Sequence, residues 1–197
     1  PGGMELRDED LKVNLPLHKA KSCNVIAIDK SGSMRGRKII GAIEAALGLR
    51  KLLEEEYKED KLWVIAYDQA PYIMEPGEIA NLVAYGWTDI GAAIDLAREL
   101  LAKEEGDKNI FLITDSEPTY SQDPNLTPIE NALRASYMAG REEIRLNVIL
   151  LDNRASVRYI CEKMAALNRR ATVTYVSDPL NLKDFIIRAF ISYKWGA

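Results

Sequence analysis

Short apolar runs alternate along the chain with longer stretches in which apolar residues recur every three or four positions. The first run, Cys23 to Ile28, is apolar on both faces and closes on Asp29, which predicts a central strand of a parallel sheet. After the polar stretch Lys30 to Gly36, residues Ile39, Ile43, Ala46 and Leu53 fall at helical spacing and predict a helix from about Arg37 to Tyr57. Its second half, Leu52 to Asp60, is rich in Glu and Lys and is read as the solvated end. Gly41 and Gly48 inside this helix each cost about 1 kcal/mol against Ala, and close approach of the helix to the sheet is the expected reason. Leu62 to Tyr67 is a second strand. Tyr72 to Met74, bracketed by Pro71 and Pro76, reads as a short edge strand, because proline cannot donate to a ladder. Ile94, Ala97 and Leu101 line one face of a helix from about Ile90 to Lys103. Lys108 to Thr114 is another buried strand, ending at Asp115, and the polar stretch Ser116 to Pro128 with its three prolines is a loop. Helices Ile129–Ala139, Ser156–Leu167 and Leu180–Tyr193, with strands Leu146–Leu151 and Ala171–Val176, complete the pattern. Strands alternating with helices predict an α/β fold with an open, mostly parallel sheet covered on both faces.

Composition narrows this picture. Residues 1–22 are a polar lead-in, of which Pro1 to Gly3 read as a cloning remnant, and one domain is expected over 23–197. The net charge of −4 gives no bulk electrostatic reason to bind nucleic acid or membrane. No apolar run approaches the roughly 20 residues that span a bilayer, and the N-terminal stretch lacks the apolar core of a signal peptide. A cytoplasmic protein is the expectation. Cys23 and Cys161 belong to no metal or redox motif and are read as reduced, buried fillers. His18, the only histidine, precedes the first strand and is read as solvated or locally bonded.

Three turns carry the candidate chemistry. The first offers Asp29, Ser31 and Ser33 at alternate positions, the second Thr88 with Asp89, and the third Asp115. Each follows or faces the carboxyl end of a predicted strand, the edge where ligands bind in open α/β sheets. Carboxylate and hydroxyl oxygens suit hard cations, Mg²⁺, Mn²⁺ or Ca²⁺, and not zinc. Two carboxylates and three hydroxyls are few for an all-protein calcium cage and fit an octahedral Mg²⁺ that keeps waters and one open position. Gly32 is expected to permit the tight turn between the serines. Asp29 and Asp115 together balance a dication, so neutral hydroxyls would leave it electrophilic toward an outside carboxylate. Asp29 or Ser33 alone would be read as a helix cap; three loops at one sheet edge favour a site. Asp68 and Asp152 also follow strands and are read as turn residues, and Trp63 as core.

The run Asp29-Lys30-Ser31-Gly32-Ser33 resembles the D-x-S-x-S motif of von Willebrand factor A domains. Thr88-Asp89 resembles that family's threonine motif and Ile113-Thr114-Asp115 its aspartate motif, in the same order and at similar spacing. The resemblance covers about Asn24 to Tyr193. It implies a three-layer, Rossmann-like VWA fold: a mostly parallel central sheet, one short antiparallel edge strand and helices on both faces. It implies that Ser31 and Ser33 coordinate a metal directly, that Thr88 does so when a ligand is bound, and that Asp29 and Asp115 act directly or through water. A Glu or Asp of a protein partner would complete the octahedron. The stretch Tyr57 to Ile65 is similar to the magnesium-chelatase D subunit and to A-domain proteins that accompany MoxR-type AAA+ ATPases, which implies an AAA+ ATPase as partner. The chain departs from the family at Trp87, where a small glycine is common, and at Ser116 and Glu117, which follow Asp115 where a glycine is common. Trp87 either narrows the approach or offers an apolar anchor, and Glu117 adds negative charge.

Binding rather than catalysis is therefore expected. A Mg²⁺-dependent phosphatase of the haloacid-dehalogenase type would need a second Asp where Ser31 stands. A serine hydrolase would need a base near Ser31 or Ser33, and no G-x-x-x-x-G-K-[ST] loop is present. A scaffold that binds without metal is the other alternative.

Overall fold

Eight consecutive buried residues, Ser22–Asp29, form the central strand β1. The computed structural model describes residues 20–195; Pro1 to Gly3, His18 and the rest of the lead-in before Ala20 lie outside the described residues. The chain continues through α1 (Arg37–Glu56), β2 (Lys61–Tyr67), β3 (Tyr72–Ile73), α2 (Ile90–Ala102), β4 (Asp107–Thr114) and α3 (Pro128–Arg141). It ends through β5 (Arg145–Leu150), α4 (Ala155–Leu167), β6 (Thr172–Tyr175) and α5 (Leu182–Trp195). The strands form one sheet in the order β3-β2-β1-β4-β5-β6. All neighbours are parallel except β3, which runs antiparallel to β2 at the edge.

Alternation along each strand splits the apolar residues between two layers. Ile26, Ile28, Val64, Ala66, Phe111 and Ile113 pack with α1 and α5. Val25, Ala27, Ile65, Tyr67, Ile110 and Leu112 pack with α2, α3 and α4. Burial on both faces explains why these strands read as continuous apolar runs. Trp63 is half-buried against the second layer. Cys23 and Cys161 are free and buried. Among the described residues no helix is long and apolar enough to cross a membrane.

Two expectations about α1 change. The Cβ of an alanine at Gly41 would lie 2.1 Å from the Pro179 carbonyl oxygen, and one at Gly48 would meet Lys183 of α5 at 2.7 Å. These glycines therefore admit the C-terminal segment, not the sheet. The stretch after Leu52 is also not uniformly solvated. Leu53 and Tyr57 are buried, and Asp60 pairs with Lys194 at 2.7 Å with both side chains at most 5% exposed. A charge-rich sequence hid this pair because burial of ions depends on partners distant in the chain.

The strand order reverses at β1. The chain leaves β1 for β2 and β3 on one side, then returns to lay β4 on the other. At such a switch point the connections diverge to opposite faces and leave a crevice at the carboxyl ends of the two strands. Asp29 ends β1, and Asp115 follows the last residue of β4.

Candidate metal centre

The first loop is built by short-range bonds. The Ser31 amide donates to Asp29 Oδ1 at 2.8 Å, and the Met34 amide to the Ser31 carbonyl at 3.0 Å. The resulting 3₁₀ turn, Gly32–Met34, brings the Ser31 and Ser33 hydroxyls to 3.1 Å. Gly32 is not the residue the turn depends on: its φ lies outside the left-handed region and a Cβ there would meet nothing within 4 Å. The left-handed position is Gly36, with φ 77°, where the loop enters α1.

The pairing of β1 with β4 delivers the third loop. Thr114 Oγ1 donates to Asp29 Oδ2 at 2.7 Å, and Ser33 Oγ donates to Asp115 Oδ1 at 2.6 Å. Ser116 Oγ donates to Asp29 Oδ2 at 3.4 Å and lies 3.1 Å from Thr88 Oγ1. All five residues expected as ligands, Asp29, Ser31, Ser33, Thr88 and Asp115, thus belong to one hydrogen-bonded network.

Thr88 is fixed by the loop after β4. Its amide donates to Thr119 Oγ1 at 3.0 Å, and its carbonyl accepts from the Thr119 and Tyr120 amides at 2.9 and 3.1 Å. Asp89 does structural work beside it. One oxygen caps α2 through the Ala92 amide at 2.9 Å and takes Asn131 Nδ2 at 3.1 Å; the other takes the Gln122 amide at 2.8 Å.

Asp29 and Asp115 are both fully buried. Burial pushes the Asp29 carboxyl up to about 6, against the hydrogen bonds from Thr114 and Ser31, and the nearby Asp115 charge adds to the rise. Two desolvated carboxylates side by side call for a cation. One protein cation answers in part: Lys38 Nζ lies 2.5 Å from Asp115 Oδ2. The donors fit a hard divalent ion, since all are oxygen and only two are anionic. Among the described residues no group of three or more His, Cys, Asp or Glu is placed to hold a metal, so any ion here would be held by this hydroxyl-rich set. No histidine stands among the described residues to activate Ser31 or Ser33.

The other singled-out residues resolve individually. Asp152 Oδ1 accepts from the Arg154 amide at 2.8 Å, a turn contact as expected. Asp68 makes the same kind of contact with the Ala70 amide at 3.0 Å, but its other oxygen pairs with Lys30 at 2.6 Å. Lys30 was missed from the sequence. It is buried, its ammonium lies 3.5 Å from the centre of the Tyr85 ring, and its amide bonds the Tyr67 carbonyl at 2.9 Å. It locks the first loop to its neighbours. Trp87 is 60% exposed, which fits an anchor better than a plug. Lys38, Thr114 and Ser116 were also missed as site residues. The available signal for Lys38 was its place in the first turn of the helix leaving the first loop.

The comparisons agree with this geometry at the level of the fold. The von Willebrand A domain of Mfa5, a type V pilus tip protein of Porphyromonas gingivalis, superposes with a TM-score of 0.72 at 13% identity, covering 90% of this chain and 96% of that one. The PilB minor pilin of Streptococcus sanguinis gives 0.70 at 13% identity, over 89% and 62%. Manganese-loaded TRAP of Plasmodium vivax gives 0.62 at 17% identity, over 87% and 73%. In sequence, the chain is 36% identical over 105 residues to the uncharacterised protein sll0103 of Synechocystis, a match that takes in 47% of this chain and 24% of that relative. The chain therefore spans about a quarter of that relative's length. The model of the Rv0959-like protein vWA domain matches residues 22–191, and the chain belongs to that von Willebrand factor A family.

Proposed function

We propose that this domain binds a protein partner through a divalent cation held by Asp29, Ser31, Ser33, Thr88 and Asp115, Mg²⁺ in the first place, with Mn²⁺ and Ca²⁺ also compatible with the donors. The observation that carries the reading is the single network joining these residues at the sheet's switch point. A solved neighbour described as manganese-loaded, TRAP, supports metal use on this fold. When bound, the ion supplies an electrophilic position for a partner's Asp or Glu carboxylate. Ser31, Ser33 and Thr88 present neutral oxygens, and Asp29 and Asp115 supply charge. The partner class follows the likeness of Tyr57 to Ile65 to the magnesium-chelatase D subunit and its MoxR-type counterparts: an AAA+ ATPase in a cytoplasmic assembly.

The test uses calorimetry with Mg²⁺ or Mn²⁺ alone, then capture of a MoxR-type AAA+ ATPase in Mg²⁺ and in EDTA. Asp29→Asn is the better variant, since alanine would orphan the Ser31 amide and the Thr114 hydroxyl at a cost of about 1–3 kcal/mol each. Wild type is expected to take up one ion and capture the partner only with metal, and Asp29→Asn to do neither. Capture that persists in EDTA and in the variant would establish the metal-independent scaffold. Metal-dependent release of phosphate from p-nitrophenyl phosphate, lost in the variant, would establish the hydrolase.

A further inference from the structure

Lys38 pairs with the Asp115 oxygen that Ser33 does not use. Its side chain is 27% exposed against 1% for Asp115, so a partly shielded ammonium faces a buried carboxylate. Among the described residues it is the one lysine or arginine ion-paired with a carboxylate of the network. Arg37, its neighbour in sequence, turns out to Asp178 at 3.0 Å. Arg154 donates to the Asp115 carbonyl at 3.1 Å and pairs with Asp152 at 2.9 Å. Asp152 also feels the Lys38 charge.

This changes the charge count drawn from sequence. Asp29 and Asp115 alone would balance a dication. Counted over Asp29, Asp115 and Lys38, the charge is one net negative, and a dication leaves one positive charge in surplus. We propose that Lys38 is a tethered positive charge that lowers the site's affinity for a divalent cation and raises the affinity of the loaded site for a partner carboxylate. This rests on the metal reading of the same site. The ammonium occupies a carboxylate oxygen and repels an incoming ion; the surplus charge it leaves attracts an anion.

The test is calorimetry of Mn²⁺ and Mg²⁺ alone with wild type, Lys38→Met and Lys38→Arg. A second arm titrates acetate against the Mn²⁺-loaded proteins, read by paramagnetic relaxation of the acetate protons. Removing one unit charge a few ångströms from a partly hydrated dication is expected to tighten metal binding about tenfold. Lys38→Met should also weaken acetate binding, and Lys38→Arg should keep wild-type behaviour in both arms. Lys38→Gln serves if the methionine variant does not fold. A lysine that only braces α1 would lower thermal stability without tightening metal binding. Unchanged or weaker metal binding by a folded Lys38→Met overturns the proposal, as does tighter metal binding with no loss of acetate. Absence of saturable metal binding to wild type overturns the metal reading itself and this proposal with it.

Discussion

Ser116 stands where related motifs commonly carry glycine, yet its hydroxyl joins the two halves of the site. It reaches Asp29 on β1 at 3.4 Å and Thr88 ahead of α2 at 3.1 Å. Among the described residues no other hydrogen bond holds the Thr88 hydroxyl toward the first loop. Ser116→Ala removes that contact while leaving the backbone bonds that fix Thr88 through Thr119 and Tyr120. One hydrogen bond contributes about 1 kcal/mol, so Mg²⁺ affinity is expected to fall about fivefold with little change in melting temperature. Calorimetry beside a thermal melt checks both; unchanged affinity would make Ser116 a bystander. Residues of this kind were not legible in the sequence, since Ser116 lies 87 positions from Asp29 and 28 from Thr88. The serines of the first loop were legible because their geometry is local.

At the scale of elements, helices are placed by what they pack on as much as by propensity. Alanine at position 41 would gain about 1 kcal/mol of helix propensity over glycine. Its Cβ would also lie 2.1 Å from the Pro179 carbonyl, a backbone atom with little room to yield. Overpacking commonly costs about 1–3 kcal/mol, so Gly41→Ala is expected to lower the urea midpoint, with α1 and the segment before α5 forced apart. A stabilised variant would show that this contact gives way easily. By contrast, the start of α3 is written in adjacent residues. Thr127 accepts the Glu130 amide at 3.2 Å, Glu130 returns to the Thr127 amide at 2.9 Å, and Pro128 begins the helix. The sequence pattern puts that start at Ile129, one residue late and with Pro128 assigned to the loop, whereas the buried Asp60–Lys194 pair required the tertiary fold.

For the whole molecule, two apolar layers hold the sheet and leave the charged chemistry at one edge. Metal bound there should stabilise the fold by mass action. At about 100 times its dissociation constant, Mg²⁺ should add roughly 2.7 kcal/mol. For a domain of this size that is a rise of about 5–10 °C. EDTA should reverse the rise, and Asp29→Asn should abolish it. A thermal melt in Mg²⁺ against EDTA checks this, and identical curves for wild type at saturating ion would contradict the site. The surplus positive charge assigned to the loaded site belongs to this scale too, since Lys38 comes from α1 and Asp115 from the turn after β4.

Taken alone, the sequence determined what local periodicity and spacing can encode. It set the alternation of strands and helices, the burial of the strands on both faces, and the oxygen-rich turns at Asp29, Thr88 and Asp115. Only the tertiary structure decided which oxygens meet, because that follows from β1 lying beside β4 and from the loop after β4 reaching back to Thr88. It also decided the charge of the site, through Lys38, and the purpose of Gly41. Side-chain direction and strand adjacency are set by packing between residues far apart in the chain, and no window of sequence contains both partners.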